Sequence, residues 1–157
     1  MAFIPDSWNR EAKILQIFYF QAEMVEKGVL KSGWSGSEHW GTWSKGQKST
    51  LAIDLDEPYY GNLELEFVFR QFFADEHQSQ RVELSVNGTM MDTWKLFPAK
   101  LDWLQRVRIP KNIWDALRPA EITFIYSDLK SPAELGISSD GRRLAIGLKT
   151  LTIRELF

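Results

Sequence analysis

Apolar and polar residues alternate with a period of two along most of this chain, the repeat of an extended strand that buries one face. Leu51, Ile53 and Leu55 fall on one side, with Ala52 and Asp54 on the other. Leu63, Leu65, Phe67 and Phe69 then alternate with Glu64, Glu66, Val68 and Arg70. Val82, Leu84 and Val86 repeat the pattern, and Asn87-Gly88 behind them predicts a type I′ turn, which needs positive φ at both central residues. The returning strand falls on Met91 to Leu96; Leu104 to Ile109, closed by Pro110, and Ile122 to Tyr126 make two more. Leu144, Ile146 and Leu148 alternate, but Leu151 and Ile153 resume one step out of phase, so a β-bulge near Lys149 is expected to restore the inward face. Ile14 to Phe20, short, apolar and aromatic, predicts a buried strand, and Gly28 to Leu30 a further short one.

The intervals carry turn chemistry. Glu57-Pro58 with Gly61-Asn62 makes a turn, Asp75 to Gln80 a polar loop, and Lys111 to Leu117 two turns of helix before Pro119. Ser131-Pro132-Ala133-Glu134 has a capping Ser and Pro at the first helical position, which predicts one helical turn ending at Gly136. Eight or nine short strands with little helix predict an all-β fold, an antiparallel β-sandwich of jelly-roll type with one or two short helical turns. With 157 residues and neither repeat nor linker, one domain over residues 1–157 is expected.

Two segments break the alternation. Gly33 to Gly46 holds three of the seven tryptophans, one of the two histidines and four glycines. Ser131 to Gly147 is its expected counterpart, the two meeting at one edge of the sandwich to form the functional site. Indole rings pack on the C–H faces of sugars, so an exposed Trp beside carboxylates and amides suits a glycan. Trp40, between His39 and Gly41, is the expected exposed ring, while Trp34 and Trp43 are expected anchors; Glu38, His39, Asp140 and Arg142 are the expected polar contacts. The plainer alternative for Glu38 is a salt bridge to Arg142 or Arg143 that ties the first and last strands together. Arg70, Arg81, Arg106 and Arg108 are most simply solvated.

Composition narrows the classes. Nineteen basic and 21 acidic residues give a net charge of −2 without a long like-charge run, which argues against nucleic acid and anionic membrane as partners. There is no cysteine, hence no disulfide or thiolate chemistry. The absence of a signal-peptide pattern and of an apolar run near the ~20 residues of a membrane span leads to the expectation of a cytoplasmic protein. His39 and His77 lie at no metal-ligand spacing, and phosphate-loop and nucleophile-elbow motifs are missing, so no cofactor is expected. A structural calcium on Asp54, Asp56, Glu57 or Asp140 stays open, because such sites have no linear motif.

The order GWS-x-x-E-x-W-G-x-WS-x-G over Gly33 to Gly46 is followed by a strand over Leu51 to Leu55, a hairpin over Val82 to Gly88 and SP-x-E-L-G-x-S-x-D-x-R-x-L-x-I-G-L over Ser131 to Leu148. This order resembles a β-sandwich accessory domain associated with bacterial cell-surface polysaccharide glycosyltransferases. The resemblance covers most of the chain after about residue 14 and implies a non-catalytic, carbohydrate-binding-like module; it assigns no binding residues. The function expected is thus binding of a bacterial surface glycan or its precursor. The alternatives are a protein-interaction or self-association module that partners a glycosyltransferase, and a polysaccharide hydrolase or lyase, for which the tryptophan segment offers only Glu38.

Overall fold

The computed structural model describes residues 12–72, 80–97, 102–127, 133, 134, 136, 139 and 141–157. Among these residues lie ten strands: β1 (Lys13–Tyr19), β2 (Leu30–Ser32), β3 (Thr42–Trp43), β4 (Lys48–Ile53), β5 (Leu63–Gln71), β6 (Gln80–Val86), β7 (Thr89–Leu96), β8 (Trp103–Ile109), β9 (Ala120–Tyr126) and β10 (Ile146–Glu155). A single helical turn, α1 (Lys111–Trp114), joins β8 to β9. One sheet runs β1-β10-β5-β8, with β3 also paired to β10; the other runs β2-β4-β9-β6-β7. All pairs are antiparallel. Successive strands change sheet at every step except the β6–β7 hairpin, the arching connectivity of the jelly roll.

The inner faces are those marked by the period of two. Leu63, Leu65, Phe67 and Phe69 of β5 meet Leu84 of β6 and Phe124 of β9, all fully buried. Trp94 lies against Phe69 with ring centroids 5.3 Å apart and nearly parallel, and Phe67 meets Phe124 edge-on at 5.4 Å. Each such side chain contributes about 1.5–3 kcal/mol through the apolar area it removes from water. The expected bulge is present: the β10–β5 register shifts between Leu148 and Thr150, which leaves Lys149 as the extra residue and returns Leu151 and Ile153 to the core. Asn87 and Gly88 have φ of 50° and 84°, as the type I′ turn requires.

Four expectations are corrected. β1 is an edge strand buried on one side only: Leu15 and Phe18 face inward, whereas Ile14, Ile17 and Tyr19 are exposed. Gly28 stands in a turn at φ 88°, and the short strand begins at Leu30. α1 is one turn rather than two, because Pro119 offers no N–H and disfavours helical backbone at Arg118. Arg70 is half-buried rather than simply solvated, whereas Arg106 is exposed as expected and also donates to Glu66 at 2.7 Å, with Arg154 reaching the same carboxylate at 3.1 Å in a charge ladder on the outside of the first sheet. Of the capped turn expected at Ser131, the first two residues lie outside the described set; Ala133 and Gly136 close a turn there, with the Gly136 N–H donated to the Ala133 carbonyl at 3.1 Å.

Candidate functional site at the tryptophan edge

The chain between β2 and β4 crosses from the edge of one sheet to the edge of the other. β2 pairs with β4, while β3 pairs with the first residues of β10 on the side that β1 occupies further along. Ser44 fastens the crossing: its N–H donates to the Ile146 carbonyl at 2.7 Å, and its Oγ accepts the N–H groups of Ala145 and Ile146 at 3.1 and 3.0 Å. Gly46 donates to the Arg143 carbonyl at 3.0 Å. The tryptophan segment and the late segment therefore do meet at one edge, as their sequences predict.

A tight turn closed by Glu38 N–H to Gly41 O (2.8 Å) sets His39 and Trp40 at its tip. His39 is exposed. Trp40 is half-buried rather than exposed: its six-membered ring edge lies on the α-carbon of Gly147, where any β-carbon would overlap it. The Arg70 guanidinium sits 3.8 Å over one indole ring, a cation–π contact on the outer face of the first sheet. Trp43 meets Trp40 edge-on at 5.0 Å and Phe72 at 6.3 Å. Trp34 donates its Nε1–H to the Thr50 carbonyl at 2.9 Å and packs edge-on against Phe124. Trp34 and Trp43 are thus the anchors expected, and Trp40 is one in part.

The polar groups converge beside this pair. Arg142 donates to Ser35 Oγ at 2.7 Å and lies 3.9 Å from Glu38 Oε2, so the bridge between the two segments runs through Arg142; Arg143 turns to Glu134 at 3.1 Å. Trp40 Nε1–H reaches Glu38 Oε1 at 3.4 Å, and Gln21 Nε2–H reaches the Trp40 carbonyl at 3.4 Å. Glu38 Oε2 and Gln21 Oε1 are shielded from water yet accept no hydrogen bond within the chain. Asp140 lies outside the described residues. Arg70, expected to be simply solvated, covers Trp40 instead, and Gln21 is a site residue the sequence does not mark; both arrive through pairing and packing. Gly147, a glycine inside a strand pattern, is the signal of a close approach that marks their location.

Among the described residues no group of three or more His, Asp or Glu side chains is placed to hold a metal ion. Of the carboxylates considered for calcium, Asp54 faces Arg118 and Glu57 faces Lys13.

No protein-family model matches the chain, and no curated protein matches it in sequence. It is similar to part of dimeric latent PorU from Porphyromonas gingivalis, with a TM-score of 0.53 and 13% identity; 92% of this chain aligns with 12% of that one. It is similar also to part of a family GH115 4-O-methyl-α-glucuronidase with specificity for decorated arabinogalactans, with a TM-score of 0.53 and 10% identity, where 99% of this chain covers 19% of that one. A looser likeness, TM-score 0.45 and 13% identity, is to the CBM36-1 domain of a multidomain xylanase from the hindgut metagenome of Trinervitermes trinervoides, and covers 88% of this chain and 96% of that one. The chain spans less than a fifth of the first two proteins. At such identities the likeness defines the antiparallel β-sandwich and nothing of activity.

Proposed function

We propose that this chain is a non-catalytic carbohydrate-binding module, which holds a bacterial surface glycan or its precursor for a partner glycosyltransferase. One observation carries the reading. At the tryptophan edge two acceptor oxygens lack a hydrogen bond: Glu38 Oε2, 3.9 Å from Arg142, and Gln21 Oε1, whose amide reaches the Trp40 carbonyl beside the half-buried Trp40–Trp43 pair. A shielded acceptor left unmatched costs about 1–3 kcal/mol, and a sugar hydroxyl is a donor able to recover that cost. The exposed His39 is placed to serve hydroxyl lone pairs, and the indole edges pack on C–H groups. Because Arg70 covers one face of Trp40, the sugar meets only the part of the ring that remains. A glycosidase would need a second carboxyl group about 5–10 Å from Glu38; among the described residues, the charged group that Glu38 pairs with is Arg142. Affinities in the millimolar to micromolar range, about −4 to −8 kcal/mol, suit so shallow a site.

The test is an array of bacterial O-antigens, capsules and exopolysaccharides, followed by indole-fluorescence titration of each hit. Saturable binding that weakens about tenfold or more in both Glu38→Ala and the exposed His39→Ala, with thermal midpoints near that of the parent, supports the reading. Silence across the array with folded protein overturns it.

A second reading has its own observation. Tyr19, Thr150, Val68 and Leu104 lie in register across four strands on the outside of the first sheet, with Tyr19 37% and Leu104 51% exposed and Ile17 next along β1. An apolar stripe of this kind suits a protein partner. A dimer by light scattering, lost in Tyr19→Lys together with silence on the array, would favour it.

A further inference from the structure

We infer that the cleft at the opposite end of the sandwich is a second saccharide site, separate from the tryptophan edge, which takes one sugar ring or the end of a disaccharide. The cleft measures about 290 Å³ and opens between the β4–β5 and α1–β9 connections. That lies at the lower end of small-ligand clefts, about 300–1,000 Å³, and limits the occupant to one or two rings. Buried Trp114 and Ile53 form its apolar floor, with Tyr59 and Leu117 at the sides.

Its rim is polar and balanced. Asp115 accepts the Tyr59 hydroxyl and, at 2.6 Å, the Lys111 ammonium; Arg118 faces Asp54 at 3.4 Å. The Tyr59 phenol, pushed up to about 12 by burial and by its bond to Asp115, stays a proton donor at any physiological pH. The Arg118–Asp54 pair is 74% and 64% exposed, so it is weak and opens readily to hydroxyl groups. Two cations and two carboxylates give the rim no net charge. An anionic ligand would meet as many carboxylates as cations, and a purely apolar one would strip water from four charges without replacing it. A neutral polyol, with donors and acceptors in equal supply and an apolar ring face, matches both rim and floor. Tyr60, the next residue along, is 83% exposed and offers a flat ring for a second sugar.

The walls are held before any ligand arrives, which lowers the entropic cost of binding. Asn87, at the β6–β7 turn, donates its Nδ2–H groups to the Ile113 and Trp114 carbonyls at 2.8 and 2.9 Å. Asn62 Oδ1 accepts the Lys111 N–H at 2.9 Å, and Glu155 accepts the N–H groups of Tyr60 and Gly61.

The experiment is a titration of the ¹⁵N-labelled full chain with glucose, galactose, mannose and N-acetylglucosamine, and with glucuronate and inorganic phosphate as anionic probes. Expected are saturable millimolar shifts of backbone amides over residues 54–61 and 111–118 with at least one neutral sugar, whether or not residues 33–46 respond as well. They should weaken about fivefold or more in Arg118→Ala, whose exposed side chain is no part of the core, and persist in Glu38→Ala. No shift with any neutral sugar, shifts given by phosphate or glucuronate alone, or shifts confined to residues 33–46 would each overturn the cleft site. Silence of the glycan array at the tryptophan edge leaves this test intact, so the two readings fail separately.

Discussion

Glu155 ends β10 almost completely buried, and its Oε2 accepts the backbone N–H groups of Tyr60 and Gly61. These two bonds, to Tyr60 first, favour the charged form and hold the carboxyl below its ordinary value of 4.5. A carboxyl whose folded pKa lies below its unfolded one adds stability that is complete above the unfolded value and lost as pH falls through the folded one. Burial alone would raise Glu66, but the hydrogen bonds from Arg106 and Arg154 outweigh it, so that group acts in the same direction. The urea midpoint is therefore expected to hold between about pH 7 and 5.5 and to fall below pH 4.5. Glu155→Gln should flatten part of that fall; a profile that stays parallel to the parent's would show that Glu155 carries none of it. Gly147 makes a different kind of demand. Its α-carbon is the surface on which Trp40 lies, so Gly147→Val must displace the indole and Arg70 with it. A loss of about 1–3 kcal/mol and a red shift in fluorescence are expected; unchanged emission would mean that the ring is not held there. Trp40 also shows what residue-level reading misses. Glycine and serine neighbours mark a loop, but only the register that sets Gly147 opposite Arg70 decides that the ring lies down on the sheet.

At the level of elements, legibility followed length and burial. β5 and β6 are clear in the sequence because the period of two runs unbroken against a buried face, over Leu63 to Arg70 in one and Val82 to Val86 in the other. The bulge at Lys149 was legible for the same reason, since a slip in phase has one repair that keeps Ile153 inside. β3 was not, because two residues display no period, and its existence rests on pairing with Gly147 and Leu148. β1 looked buried on both sides because its outward residues are apolar, a property that an edge strand on an open sheet face also permits. Asn87-Gly88 is legible as a turn, but its second task is not. Besides the two carbonyls of α1, Asn87 serves β9, its Oδ1 accepting the Glu121 N–H at 2.7 Å. Asn87→Gly keeps the positive φ yet deletes all three bonds. A drop of about 1–3 kcal/mol with an unchanged denaturant slope is expected; a drop of a few tenths would show that water replaces the side chain at little cost.

Across the whole molecule, β10 links the two ends. Its first residues carry the tryptophan edge, and its last residue holds the loop of Tyr59 and Tyr60 that walls the cleft. Ten residues of strand separate them by about 30 Å. The sequence pointed to the first end, through its tryptophans, and passed over the second, because Tyr59, Asp115 and Arg118 come from two connections that only the closed sandwich brings together. If both sites hold sugar, a mono- or disaccharide cannot reach from one to the other, so the effects of His39→Ala and Arg118→Ala on short ligands should be independent. A long polysaccharide behaves differently, since one protein can then hold two chains or two stretches of the same chain, and the second contact gains from its raised effective concentration. Static light scattering of the protein with a polymeric hit from the array should rise steeply at substoichiometric protein and collapse in either single variant, while binding of that polymer's short fragments persists through the remaining site. Scattering that survives Arg118→Ala undiminished would leave the tryptophan edge, or the apolar stripe on β1, as the sole source of cross-linking.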